Sequence, residues 1–280
     1  MLSHADIQAF DEAGFVVAER VLDAAALAAV IEAIDETLGR FDADRHRSVF
    51  TTDDQDRGRD EVFFRSAETV EFFLEQDALD AAGQLRRPLE RAVNKLGHAL
   101  HDHVPAIGAL ARHPDIRQAL QALGQAQPQL WQSMVIFKQP GIGDAVRWHQ
   151  DATYLHTQPA SVVGTWIALE DADRENGCLL VDPAGPGPLR ERYTVDWETR
   201  TGTLEVLDHA PWPDDRAGLA LEVPAGSVVF FGDHLPHGST ANRSARSRRA
   251  LTFHTADAAR SHWSEGNWLQ RPTLGPFLLS

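Results

Sequence analysis

The spacing of hydrophobic positions changes partway along this chain. After Asp23, Leu27, Val30, Ile31 and Ile34 recur at the i, i+3, i+4, i+7 spacing of one helical face, and Gly39 ends the run. Ser3 or Asp6 can cap a shorter helix that stops near Gly14, and Gly14-Phe15-Val16-Val17 then predicts a strand. Helical spacing returns over residues 67–74. It appears again from Pro88, where proline suits a first turn and Val93, Leu96 and Leu100 form an apolar stripe. A further helix is predicted over residues 114–123. Residues 41–60 are polar, charged and without period, the pattern of a loop.

Beyond residue 125 the rhythm shortens. Runs at 129–138, 161–170, 177–181, 203–206, 221–223, 227–231 and 249–255 are β-branched or aromatic and bounded by Pro, Gly or Asp. Such closely spaced short strands predict a sandwich or jelly roll. The expected fold class is α+β with a mainly β core. Residues 126–280 would form a double-stranded β-helix (a cupin-like jelly roll), and residues 1–125 a mostly helical support packed on it. Together they would make one domain, 1–280.

Composition narrows the partners. Of 280 residues, 43% are hydrophobic and 24% charged, which suits a folded chain with ample core. Lys and Arg number 26 against 41 Asp and Glu, and the net charge of −15 argues against duplex nucleic acid, whose phosphates need a basic face. The single cysteine, Cys178, makes neither an internal disulfide nor a thiolate metal cluster. MLSHADIQAFDEAGF is acidic and lacks the apolar stretch of a signal peptide, and no apolar run reaches the roughly 20 residues a bilayer needs. The expectation is a cytoplasmic protein without membrane or nucleic-acid partners, a monomer or weak homo-oligomer.

Most of the 13 histidines have plain readings. His98, His101 and His103 fall on or near a predicted helix without the HExxH of a zincin, and are expected at the surface or as caps. His149 and Asp151 differ. They are two residues apart, so on a strand both side chains face one way, and a neutral imidazole beside a carboxylate makes two-thirds of a facial triad for non-haem Fe(II). The same pair also fits a surface strand with a His–Asp hydrogen bond, so a third ligand must come from another strand. The segment FFGDHLPHGS (230–239) offers His234 and His237, on either side of Leu235-Pro236. Eleven residues past His237, Arg248 opens the strand pattern RRALTFH, which can aim one guanidinium inward. Oxygenases that use 2-oxoglutarate need such a cation. The co-substrate chelates iron at one end, and an arginine fork can hold its free carboxylate at the other. Arg243 and Arg246 read as solvated loop residues.

HQDATYLHT (149–157), WIALEDADRENGCL (166–179), HGS (237–239) and NRSARSRRALTFHT (242–255) resemble the phytanoyl-CoA dioxygenase family of Fe(II)/2-oxoglutarate oxygenases. VNKLGHALHDH (93–103), WQSMVIFKQP (131–140) and WSEGNWLQRP (263–272) are similar to segments of one branch of that family, so the resemblance covers nearly the whole chain. It implies that His149, Asp151 and His237 bind Fe(II), that Arg248 binds the distal carboxylate of 2-oxoglutarate with help from Ser239, and that Lys95, Met134 and Trp166 line the co-substrate pocket. It further implies hydroxylation of a small molecule by molecular oxygen, with release of succinate and CO2; an intact Asp151 favours hydroxylation over halogenation.

The chain departs from the family in two places. Residues 181–188 read VDPAGPGP where the family has a proline-glycine-serine-histidine loop, and Arg147-Trp148 stand where that branch has smaller residues, so they are expected to narrow or charge the site's mouth. No basic cradle for the phosphates of a CoA thioester is evident in a −15 chain, so a substrate other than long-chain acyl-CoA is expected. The alternatives are a non-catalytic metal-binding jelly roll acting as sensor or scaffold, and a cupin-like enzyme that uses no 2-oxoglutarate. Arg248 speaks against both.

Overall fold

A computed structural model describes residues 2–42, 48, 61–75 and 78–279. Most of the predicted 41–60 loop lies outside the described residues. Helix α1 (His4–Ala13) starts at a capping box between Ser3 and Asp6 and ends at Gly14, whose φ of 79° is the left-handed turn glycine favours. Asp23 caps α2 (Ala24–Leu38) through the backbone N–H of Ala26. Four shorter helices follow: α3 (Glu61–Arg65), α4 (Leu100–His103), α5 (Pro105–Ala111) and α6 (Pro114–Ala122).

The strands are β1 (Phe15–Ala18), β2 (Val70–Leu74), β3 (Val93–His98), β4 (Pro128–Lys138), β5 (Val146–His149), β6 (Thr157–Gln158), β7 (Val163–Ala168), β8 (Leu179–Val181), β9 (Glu191–Asp196), β10 (Thr201–Val206), β11 (Leu219–Leu221), β12 (Val228–Gly232), β13 (His237–Ser239), β14 (Arg248–Asp257), β15 (His262–Trp263) and β16 (Phe277–Leu278). Seven form the large sheet in the order β1-β12-β7-β14-β4-β3-β2, with β16 added on β4. The smaller sheet runs β11-β8-β13-β5. The strands β12, β7, β14 and β4 opposite these four are consistent with a jelly roll.

Alternation on the central strands separates two cores. Leu251 and Phe253 of β14 join Val135, Phe137 and Ile167 on the outward face, under Val30 and Ile34 of α2 and Ile107 of α5. Ala250 joins Trp166, Leu180 and Phe231 between the sheets. Arg249 on the outward row donates to Glu170 at 2.9 Å and Asp35 at 2.8 Å, tying α2 to the sheet. Pairing of β14 with β4 holds register from Arg248↔Lys138 to His254↔Gln132 and then slips, because Thr255 pairs with Leu130 and Trp131 is the extra residue of a bulge.

The N-terminal half is less helical than its spacing predicts. Residues 70–74 form β2, and from Pro88 a short 3-10 turn (Leu89–Arg91) leads into β3 rather than a helix. Every residue of β3 is buried. The strand buries the polar Asn94, Lys95 and His98 along with Val93 and Leu96, so polarity does not mark its faces and the i, i+3 spacing of its apolar residues imitates a helix. His98 and His101 are accordingly buried, while His103 stays exposed. The hairpin β9–β10 was expected only in its second strand. Among the described residues, no helix is long and apolar enough to cross a membrane.

Candidate metal centre and its cavity

His149 ends β5 and His237 opens β13, and the two are directly opposite in the small sheet. Asp151 sits on a 3-10 turn (Asp151–Thr153) just past β5, not on an extended strand, and the turn brings its carboxylate back under both rings. Donor atoms of His149, Asp151 and His237 all lie within 4.8 Å of one another. Gly238 permits this approach, since a Cβ there would lie 2.9 Å from the Val146 carbonyl.

Backbone contacts fix the rings. Nδ1 of His149 lies 2.9 Å from the Arg147 carbonyl, and Nδ1 of His237 lies 2.9 Å from the Leu235 carbonyl. A carbonyl only accepts, so each Nδ1 carries the proton and each Nε2 presents a lone pair. Those Nε2 atoms face Asp151 Oδ1 at 3.8 and 3.6 Å. Burial alone would push the Asp151 carboxyl up, but positive charge on the facing imidazoles of His254, His237 and His149, whenever they are protonated, outweighs it and holds the group well below the usual carboxylate range. Two ring lone pairs turned on one carboxylate oxygen, away from water, form a donor set that a cation satisfies. Two imidazoles and one carboxylate suit Fe(II) with open positions.

His149, Asp151, His237, Lys95, Met134, Trp166, Ser239 and Arg248 all line one cavity of about 150 Å³. Lys95 lies on buried β3, its Nζ 4.8 Å from the centre of the Phe73 ring. Arg248, also in the cavity wall, is 2% exposed. Its Nε donates to the Gly177 carbonyl at 3.0 Å, and Nη1 has no hydrogen-bond partner among the described residues. Gly177 has φ of 82°, and a Cβ on it would lie 2.6 Å from the Thr240 carbonyl and 2.8 Å from Lys138 Cδ. Burial pulls the Arg248 guanidinium down to about 10, which leaves it charged at neutral pH. A buried cation with an orphaned donor fits an incoming carboxylate.

His234 turns away from the triad, its Nδ1 3.1 Å from the Gly187 carbonyl. Arg246 is exposed and pairs with Asp173. Of the two unusual residues before His149, Arg147 reaches the cavity wall, with Nη2 3.3 Å from Tyr154 Oη and 3.6 Å from Glu191. Trp148 instead packs between the sheets and donates to Asp215 at 2.7 Å, so it does not narrow the mouth. His254 is a site residue that the spacing analysis passed over. It lines the cavity 3.1 Å from Asp151 Oδ2, and its even spacing from Arg248 along β14 was a usable signal. His98, Phe63 and Trp268 also line the cavity, but they come from three separate segments that no local pattern connects.

A second histidine–aspartate cluster lies outside this cavity. His101 is buried, with Nδ1 2.6 Å from Ser133 Oγ, and Arg271 donates to its Nε2 and to Asp102. Burial, and next the Arg271 charge, hold this imidazole down to about 2.

The sequence model of phytanoyl-CoA dioxygenase (PhyH) matches residues 10–250. The chain is 36% identical over 284 residues to phytanoyl-CoA dioxygenase domain-containing protein 1 of Rattus norvegicus, covering 99% of this chain and 97% of the relative. It is 36% identical over 271 residues to phytanoyl-CoA dioxygenase 1 of Oryza sativa subsp. japonica, covering 96% and 94%. Among solved structures, the non-haem alpha-ketoglutarate-dependent carbocyclase SnoK from nogalamycin biosynthesis aligns with a TM-score of 0.64 at 22% identity, covering 95% of this chain and 87% of that one. The epimerase SnoN in complex with Fe3+, alpha-ketoglutarate and nogalamycin RO aligns with a TM-score of 0.65 at 16% identity, covering 99% and 98%. The structural likeness shows the fold. The near end-to-end identity with curated relatives shows descent, and the chain belongs to the phytanoyl-CoA dioxygenase family.

Proposed function

We propose that this protein is an Fe(II)- and 2-oxoglutarate-dependent dioxygenase that hydroxylates a small molecule. The observation that carries the reading is one cavity holding both a His149–Asp151–His237 donor set and the buried, orphaned donor of Arg248. A metal-binding scaffold has no use for that second element, whose burial is costly without a partner. SnoN holds iron, alpha-ketoglutarate and a small molecule in its own structure, which supports the same ligand classes here.

His149, Asp151 and His237 would hold the metal. When bound, Fe(II) supplies the coupled oxidation in which 2-oxoglutarate, O2 and a substrate C–H become succinate, CO2 and an alcohol. The chain's own residues set the conditions for this. Carbonyls of residues 147 and 235 keep the Nδ1 protons in place, so both Nε2 atoms stay basic. Arg248 would clamp the distal carboxylate with Ser239 beside it, while Lys95, Met134 and Trp166 form walls along the co-substrate. Phe63, Leu155 and Trp268 give the rest of the cavity an apolar lining that excludes water and receives a substrate C–H. We further read residues 1–280 as one dioxygenase domain, supported by β1, β2 and β3 of the N-terminal half joining the same sheet as β14.

The test is incubation of the purified protein with Fe(II), 2-oxoglutarate and oxygen, without any further substrate. Slow succinate formation is expected, matched mole for mole by CO2. Lack of both stoichiometric Fe(II) binding and succinate formation would overturn the proposal.

A further inference from the structure

Resting on the metal reading above, we infer that His254 is a positioning residue that keeps one oxygen of Asp151 away from the metal. Asp151 is 5% exposed, and an imidazole lies near each of its carboxylate oxygens. Oδ1 faces Nε2 of His149 and His237 from the small sheet, and these three atoms make the donor set. Oδ2 is buried, has no hydrogen bond of its own among the described residues, and lies 3.1 Å from Nε2 of His254 on the large sheet. The two sheets thus divide the two oxygens between them. His254 is 2% exposed, and its Nδ1 has no hydrogen-bond partner among the described residues. With Nδ1 unpartnered, Nε2 is the ring nitrogen that can donate a proton to the unpartnered Oδ2.

Asp151 needs such a partner because its turn does not fix its carboxylate. It follows the end of β5 on a single 3-10 turn, whereas His149 and His237 are each held by a backbone carbonyl. An unheld carboxylate can rotate or chelate a cation through both oxygens, and either motion disturbs a site that must leave positions open. His254 is rigidly placed to prevent this. It lies in the long central strand β14, is paired to Gln132 of β4 and Gly164 of β7, and stands just before the Trp131 bulge. Outer partners of metal-ligating groups typically contribute 10- to 100-fold in metal affinity.

The experiment is calorimetric titration of the full-length protein with Co(II), together with the Co(II) visible spectrum and a thermal melt. The variants are His254→Gln, whose side-chain amide keeps an N–H donor near the imidazole Nε2 position, and His254→Leu, which keeps bulk without a donor. His254→Leu should weaken Co(II) about 10- to 100-fold and alter the spectrum. His254→Gln should stay within about threefold of wild type, with an unchanged spectrum. The inference is overturned if His254→Leu binds Co(II) like wild type, or if His254→Gln binds as weakly as His254→Leu. If His254→Leu does not melt cooperatively, His254→Ala replaces it. Failure of both to fold also overturns the inference, since His254 would then serve the core and not the carboxylate. A wild-type protein that takes up no Co(II) would instead strike at the metal reading itself.

Discussion

Among the described residues, two clusters that set buried histidine beside aspartate differ in how their ring nitrogens are used. At His101 both nitrogens are occupied: Nδ1 meets Ser133 Oγ and Nε2 receives Arg271, which also binds Asp102. At His149 and His237 each Nδ1 is held by a backbone carbonyl, while each Nε2 turns to a point shared with Asp151. The first arrangement is closed and pins the C-terminal segment against α4. The second is an incomplete coordination shell facing a cavity. Residue types alone do not distinguish the two clusters; the direction of the second nitrogen does.

The sharpest way to break this comparison is to remove one carboxylate from each cluster. Asp151→Ala should abolish stoichiometric Fe(II) binding in a calorimetric titration, and Asp102→Ala should leave it within about twofold of wild type. Fe(II) retained at full affinity by Asp151→Ala would dissolve the distinction. Next in size is Arg248→Ala, expected to weaken 2-oxoglutarate roughly 100-fold, on the order of 3 kcal/mol, in a titration of the Fe(II)-loaded protein. Arg248→Lys keeps charge but loses the fork and should cost about 10-fold, with Fe(II) affinity unmoved in both. Arg271→Met should spare both ligands and instead lower unfolding free energy by about 3 kcal/mol in urea, because it strands His101 and Asp102.

The closed cluster also predicts a pH dependence. His101 in the fold titrates near 2, far below the 6.5 of a free imidazole. Below about pH 6.5 the unfolded chain therefore binds a proton that the fold refuses, so this contribution to stability is complete above 6.5 and is lost as pH falls from there toward 2. Between pH 7.5 and 5.5 the wild type should lose about 1.4 kcal/mol more than His101→Gln, read from urea midpoints at the two pH values. Smallest of all, Arg246→Ala should leave the 2-oxoglutarate constant and the urea midpoint unchanged, since its pair with Asp173 is exposed.

The legible parts of the sequence were those with local signals. Caps and periodicity located α1 and α2, alternation located β14, and the spacing of His149, Asp151, His237 and Arg248 gathered residues that the fold does bring to one cavity. Strands β2 and β3 were misread because polar residues occupy buried positions in both, Glu71 in β2 and Asn94, Lys95 and His98 in β3, so neither shows the period-two pattern on which strand recognition depends. The role of His101 was hidden for a different reason. Its partners Ser133 and Arg271 lie 32 and 170 residues away, and no spacing rule reaches that far. His254 was within reach, because counting by twos from Arg248 arrives at it.

The bulge at Trp131 makes the length of β4 as consequential as its composition. Gln132, Met134 and Ile136 face the cavity while Leu130, at the same parity along the strand, packs in the outer core, and the change of face comes from Trp131, the extra residue opposite β14, its ring stacked 4.1 Å from that of Trp263. Deleting Trp131 itself would leave Leu130 and Gln132 adjacent on the faces they already occupy, whereas deleting a residue from the regular stretch 132–138 would force part of the strand to trade its inner face for its outer. Side chains along β4 can therefore be exchanged, but a residue gained or lost within 132–138 must be matched by one on β14, or taken up by a bulge, for the cavity wall to survive.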